Sequence, residues 1–301
     1  MKKQIRKQFT RLNLGSGQPS DRSLRLVVSL LAFPLLLATG AQAAPLRGEE
    51  GRPATIPEWA VEVEPDVWYL GEQLDPQSGE MVEGWIFVDR EDDHRIGRSG
   101  GARAKPGGGS CYAIGGLGPW RTTETWSGNF TNNAGSPSEA DVITALTAAQ
   151  TTYETQTGLD IFGALVAAPP GYIPANPPPG PDGQNFVWFG DTGSGTIVAI
   201  TYVWGITQGP PSNRQINEFK ILFQERTFQG QPAKVFTVIP EVEIYYFDLQ
   251  NVAAHEFGHA VGLAHPSDSC TEETMYGGVA IGETKKRTLN AGDIAGLDKL
   301  Y

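Results

Sequence analysis

The chain has 301 residues, 40% hydrophobic and 19% charged, enough for one large domain or two small ones with a real core. Lys plus Arg number 23 against 34 Asp plus Glu, so the formal net charge of −11 argues against nucleic-acid binding by phosphate neutralisation. Seven Trp, nine Tyr and thirteen Phe exclude disorder throughout, and two cysteines exclude a disulfide-dense miniprotein or a four-thiolate zinc site.

The first residues read as an address. Lys2, Lys3, Arg6, Lys7, Arg11, Arg22 and Arg25 stand against a single Asp21, and an apolar run follows from Leu26 to Ala38. Ala41-Gln42-Ala43 then supplies small residues for cleavage. This is the pattern of a secretory signal peptide over 1–43, cut after Ala43. The alternative is an uncleaved anchor, but the run is short of the roughly 18–20 residues that span a bilayer, and it contains Pro34. Export leads to a secreted, extracellular protein in an oxidising compartment, without stable membrane association once the leader is cut.

Residues 44–110 read as an N-terminal extension or pro-segment. Val67–Leu70 and Trp85–Val88 are strand-like runs separated by the turn-rich Asp75-Pro76-Gln77-Ser78-Gly79, which predicts a hairpin. Residues 89–110 are charged and then Gly-rich, a linker composition. A pro-segment here would lie partly across the cleft and be cut at 97–109. His94 sits in this stretch as a solvated loop residue. The main domain is predicted over 111–301.

Ser138 to Thr157 predicts a helix, with Ser138 and Asp141 as a capping pair. Val142, Leu146, Ala149 and Tyr153 give it one apolar face. Residues 168–183 hold too much Pro and Gly for regular structure. Strand-like runs follow at 186–189, 196–204, 219–223 and 235–239. The aromatic-rich 196–204 run is a candidate edge for pairing with a peptide. Strands and helices mix without strict βαβ alternation, so the fold class is α+β, a mixed sheet with helices packed on it.

Three of the four histidines fall within His255–His265, in the sequence His255-Glu256-Phe257-Gly258-His259-Ala260-Val261-Gly262-Leu263-Ala264-His265. Asp248 is a plausible N-cap for a helix over Leu249–Val261. On it His255 and His259 project from one face, one turn apart, a spacing that suits two imidazoles on one Zn²⁺. Gly262 lets the backbone turn so that His265 can return as a third ligand. Three protein ligands leave a fourth position for water, the arrangement of a catalytic site. Glu256 points about 100° away around the helix, placed to take a proton from that water as general base and pass it to a leaving amine. Chance gives these five fixed positions in a chain this long on the order of 10⁻⁵ of the time.

This stretch resembles the extended zinc signature of metzincin metallopeptidases. Thr274-Met275-Tyr276-Gly277 resembles the Met-turn beneath the zinc in that family, and residues 288–301, with Ile294, Leu297 and Leu300, resemble the closing helix of matrixins. Residues 196–204, 219–223 and 247–250 are similar to bacterial and archaeal matrixin-like proteins. The resemblance implies a metzincin-like zinc peptidase domain. Its parts would be a twisted mixed sheet, an N-terminal-side helix, an active-site helix, a Met-turn and a C-terminal helix. It further implies one catalytic Zn²⁺ and a polypeptide substrate. Pro266 departs from the Ser or Thr usual in matrixins, and Tyr276 directly follows Met275, which argues against a tyrosine ligand. No cysteine-switch motif surrounds Cys111.

Cys111 and Cys270 are the only cysteines of an expected exported chain, which predicts a disulfide between them. The other reading makes Cys111 a zinc-blocking thiolate. Loops around Asp182 or Asp191 could take Ca²⁺, without a pattern that counts its ligands. Three functions remain open: an exported zinc endopeptidase, a catalytically silent zinc-binding surface or adhesion module, and a scaffold stabilised by its metal.

Overall fold

The structure, a computed structural model, describes residues 53–92, 111–131, 137–225, 227–228, 231–232, 236–240 and 246–301. The expected leader, His94 and the Gly-rich 97–109 stretch lie outside the described residues. No helix among the described residues is long and apolar enough to cross a membrane.

In chain order the elements begin with β1 (Val61–Glu64), β2 (Val67–Leu74), β3 (Met81–Glu91), β4 (Ala113–Ile114) and β5 (Glu124–Asn129). Helix α1 (Glu139–Thr157) leads to β6 (Phe162–Leu165), β7 (Phe186–Gly190), β8 (Ile197–Ile206) and β9 (Gln215–Gln224). Four short strands follow, β10 (Thr227–Phe228), β11 (Gln231–Pro232), β12 (Phe236–Thr237) and β13 (Phe247–Asp248). The chain closes with α2 (Leu249–Ala260), β14 (Leu263–Ala264), β15 (Gly278–Val279) and α3 (Ala291–Leu300).

The main sheet runs β1-β2-β3-β8-β9-β7-β5-β6, with β15 added against β3. It is antiparallel from β1 to β9 and parallel from β9 through β7 and β5 to β6. Such a mixed sheet with three α-helices among the described residues is α+β, as the lack of βαβ alternation predicts. One apolar cluster joins Phe87, Val203, Phe219 and Ile221 of the sheet to Leu146, Tyr153, Val252 and Phe257 of the helices. A second covers the sheet's other face, where Trp68, Leu70, Ile86 and Val88 meet Ile200, Tyr202, Trp204 and Leu222. Strand β8 is therefore buried on both faces, and its largely apolar sequence, interrupted by Thr201, follows from that.

Three expectations are corrected. The hairpin of β2 and β3 is no part of a separate extension: β3 pairs with β8 from Glu83↔Gly205 to Arg90↔Ile197, inside the main sheet. Residues 89–91 are strand rather than linker, because Arg90 is buried and its Nε donates to Asp66 Oδ1 at 2.7 Å. The 196–204 run is no edge, since β3 and β9 pair with it on either side. Alternation along a strand tells which face is apolar, and carries nothing about which strand lies beside it.

Helix α1 forms where its pattern predicts. Ser138 accepts from the Asp141 amide at 3.3 Å, and Val142, Leu146, Ala149 and Tyr153 are buried. Gly158 ends it at φ 68°, a left-handed cap that glycine adopts without a Cβ penalty. In α3 Leu297 is buried, whereas Ile294 and Leu300 are only half-buried. Residues 168–183 hold no helix or strand, as their Pro and Gly content predicts.

Candidate metal centre

Helix α2 carries the centre. Asp248 caps it, accepting from the Asn251 amide at 2.6 Å, and Arg287 pairs with the same carboxylate. Every residue from Asn251 to Ala260 is buried, so this is an interior helix with no solvent face beyond its first turn. It ends at Gly262, whose φ of 98° suits glycine alone. The chain then returns as β14, which pairs with β4 at Leu263↔Ile114 and Ala264↔Ala113 and delivers His265.

The three imidazoles converge. The Nε2 atoms of His255, His259 and His265 lie 3.1 Å from one another, and the residues are 0%, 0% and 7% exposed. The opposite nitrogen of His255 faces the Thr274 carbonyl at 2.8 Å, and that of His259 faces the Leu263 carbonyl at 2.9 Å. A carbonyl only accepts, so both Nδ1 atoms carry the proton and both Nε2 atoms present bare lone pairs. Lone pairs at this separation repel unless they share a cation. Tetrahedral ligands at 2.0–2.1 Å from Zn²⁺ would stand about 3.3–3.4 Å apart, so the donor set fits that ion.

Burial pushes His255 well below the ordinary imidazole range, helped by the Lys286 charge, and pushes His259 down from 6.5 to about 3. Neutral imidazoles are the metal-binding form. The sign for stability follows. Unfolded imidazoles titrate near 6.5 and so take up protons that the folded chain refuses. Folding therefore loses this contribution as pH falls from about 6.5 towards 3. Thermal unfolding at pH 4 is expected at a lower midpoint than at pH 7.

Glu256 is fully buried. Its Oε2 accepts from the Thr201 hydroxyl of β8 at 2.5 Å, and its Oε1 has no hydrogen-bond partner among the described residues. Burial, then the Asp89 charge, pushes its carboxyl well above the usual carboxylate range. Asp89 of β3 belongs here: ligand oxygens of Asp89 and Glu256 and a His255 nitrogen lie within 4.8 Å of one another. Phe87, also on β3, stacks on His259 with ring centroids 4.1 Å apart and planes at 9°. Sequence reasoning missed Thr201, Asp89 and Phe87, because strand residues far away in the chain carry no local mark of what they face.

Met275 is 1% exposed and packs on α2 at Gly258, its Sδ 3.7 Å from the Tyr153 hydroxyl. Asp293 pins the turn by accepting from the Thr274 amide at 2.7 Å and the Met275 amide at 3.1 Å. Lys286, fully buried, donates to the Tyr276 and Gly278 carbonyls at 2.6 and 2.7 Å. The Tyr276 ring lies 5.8 and 5.9 Å from the Lys285 and Lys286 ammonium groups. A Cβ on Gly258 would stand 2.1 Å from the Met275 sulfur and 2.5 Å from the Tyr153 hydroxyl. Gly258→Ala is expected to destabilise the fold by about 1–3 kcal/mol, read as a lower urea midpoint.

Cys111 and Cys270 are bonded, with Cα atoms 5.5 Å apart. The thiolate reading of Cys111 is thereby corrected. The Asp182 carboxylate already faces a cation, the Lys220 ammonium at 2.9 Å, and accepts from Tyr172. Neither Asp182 nor Asp191 joins a metal-sized cluster among the described residues.

Residues 193–301 match the family model described as Matrixin. Over 55 residues the chain is 46% identical to neutrophil collagenase of Homo sapiens. That stretch covers 18% of this chain and 11% of the collagenase. The C-terminal third of the chain is thus similar to matrixins, and the likeness supports a metallopeptidase.

Proposed function

We propose that the chain is an exported zinc endopeptidase of metzincin type. One observation carries the reading: three histidine Nε2 atoms converge on one point beside a buried glutamate with an open oxygen. His255, His259 and His265 would hold the ion, and Met275 would floor it. When bound, Zn²⁺ supplies a Lewis acid and a lowered water pKa. Glu256 then takes a proton at its carboxylate and hands it to the leaving amine. Thr201 fixes Oε2, which leaves Oε1 for that exchange. The substrate is a polypeptide. Export through a leader over 1–43 belongs to the same reading, and a secreted form beginning at Ala44 would support it.

The closed site favours a second reading, a catalytically silent zinc-binding module, because Glu256 has no exposed surface. One experiment separates the two. The chain is expected to hold one zinc after dialysis and His259→Ala none. The zinc-loaded chain is expected to cleave an unfolded protein, a chelator to stop it and added zinc to restore it. Stoichiometric zinc with no cleavage by any form of the chain selects the silent module, and no zinc overturns both.

A further inference from the structure

A helix leaves its last carbonyls without donors of its own. At the end of α2 four carbonyls in a row nevertheless find one. The His259 carbonyl accepts from the Gly262 amide at 2.9 Å, and the Gly262 carbonyl from the Gly115 amide at 3.2 Å. Between them, side chains from distant parts of the chain supply the donors. The Ala260 carbonyl accepts from the Trp120 indole N–H at 2.7 Å, and the Val261 carbonyl from the Tyr301 hydroxyl at 3.3 Å. The turn held in this way carries two parts of the metal centre. Its Leu263 carbonyl faces His259 Nδ1, and β14 goes on to deliver His265.

Trp120 is itself fixed. It is 7% exposed, and its ring meets Phe219 of β9 edge-on at 6.2 Å. The next residue, Arg121, donates to the carbonyls of Pro211, Ser212 and Arg214 at 3.1, 3.3 and 3.0 Å. The chain leading to Trp120 lies against the turn: a Cβ on Gly262 would stand 3.4 Å from the Gly118 carbonyl oxygen. A Cβ on Gly118 would in turn stand 2.2 Å from the Arg214 carbonyl oxygen. Ala260 is fully buried, so its carbonyl has no access to water in place of the indole.

We infer that Trp120 is a positioning residue of the metal centre, assisted by Tyr301. Its indole N–H sets the turn that hands His265 to the metal and aims the Leu263 carbonyl at His259. The inference rests on the three-histidine zinc reading and adds a residue that touches neither the ion nor its ligands.

The test is zinc affinity of the full chain, read by competition with a chromophoric chelator. Trp120→Phe keeps an aromatic ring and removes the N–H. Losing a group that orients a metal-binding histidine weakens the metal about 10–100-fold, so this variant is expected to hold zinc at least tenfold less tightly than wild type. Val142→Ala opens a cavity in the buried face of α1, which makes none of these bonds. It should lower the unfolding midpoint too, yet keep zinc affinity within about threefold of wild type, because it leaves the turn's bonds intact. Amide exchange at 263–265 in the metal-free chain should quicken in Trp120→Phe and stay at the wild-type rate in Val142→Ala. Unchanged zinc affinity in Trp120→Phe overturns the inference, and so does an equal loss in Val142→Ala. Should Trp120→Phe fail to fold, Tyr301→Phe serves. It removes one hydroxyl and is expected to weaken zinc about threefold, as the loss of a single hydrogen bond predicts, and unchanged affinity again overturns the inference. No zinc on the wild-type chain sinks the zinc reading and this inference with it. Weaker zinc in Trp120→Phe with no proteolysis by any form upholds the inference and sinks the peptidase reading alone.

Discussion

Glu256→Gln is expected to lower kcat/KM by about 10²–10⁴-fold while one zinc per chain stays bound. Gln keeps the shape of Glu and can still accept from the Thr201 hydroxyl on β8. What it loses is the ability to take a proton at the open oxygen. The three imidazoles are oriented by the carbonyls of Thr274 and Leu263 and by the β14–β4 pairing, none of which touches Glu256. Zinc content should therefore be unchanged, and the loss should fall on kcat rather than KM. A second readout separates this from a structural role. The carboxyl is fully buried beside Asp89, so removing its charge should leave the unfolding midpoint unchanged or higher. Activity within threefold of wild type, measured in the same form of the chain, would remove Glu256 from the mechanism.

The candidate metal centre was legible because two of its histidines and the glutamate share one helix, and a helix writes its geometry into residue spacing. The return of the third histidine was legible through Gly262, whose φ of 98° makes the turn that the spacing requires. Helix α1 was legible for the same local reasons, a Ser138 cap and a repeat of apolar residues. Strand neighbours were not. Val203 and Phe219 pair across a turn, and nothing in either sequence names β3 as the partner on the other side. The charges at 89–92 looked like the start of a solvated linker. Two of them are buried, Arg90 on Asp66 and Asp89 beside Glu256. An ion pair across twenty-four residues has no signature in composition. A domain cut at Cys111 would consequently bare Ile200, Tyr202 and Trp204, which β2 and β3 cover.

Removing the disulfide, as Cys111→Ser/Cys270→Ser, is expected to cost about 3–5 kcal/mol of folding stability. The bond closes a loop of 159 residues of separation, so most of that cost lies in the freedom regained by the unfolded chain. At about 2–4 °C per kcal/mol for a domain of this size, the midpoint should fall on the order of 10 °C. The bond also has a local task. Cys111 lies two residues before the start of β4, the strand that pairs with β14 and so delivers His265. Cys270 lies in the loop between His265 and Met275, and α3 closes over the same point, where a Cβ on Gly292 would meet the Cys111 carbonyl oxygen at 1.9 Å. The variant should therefore lose zinc at a lower chelator concentration than wild type. Saturating zinc should restore part of the lost midpoint, since a ligand that binds only the folded state stabilises it by mass action. Wild type in reductant should show the same shift as the double variant. If reductant leaves the wild-type midpoint unmoved while the bond is shown to be open, the loop is held by packing against α3, and the covalent link adds nothing to the metal centre.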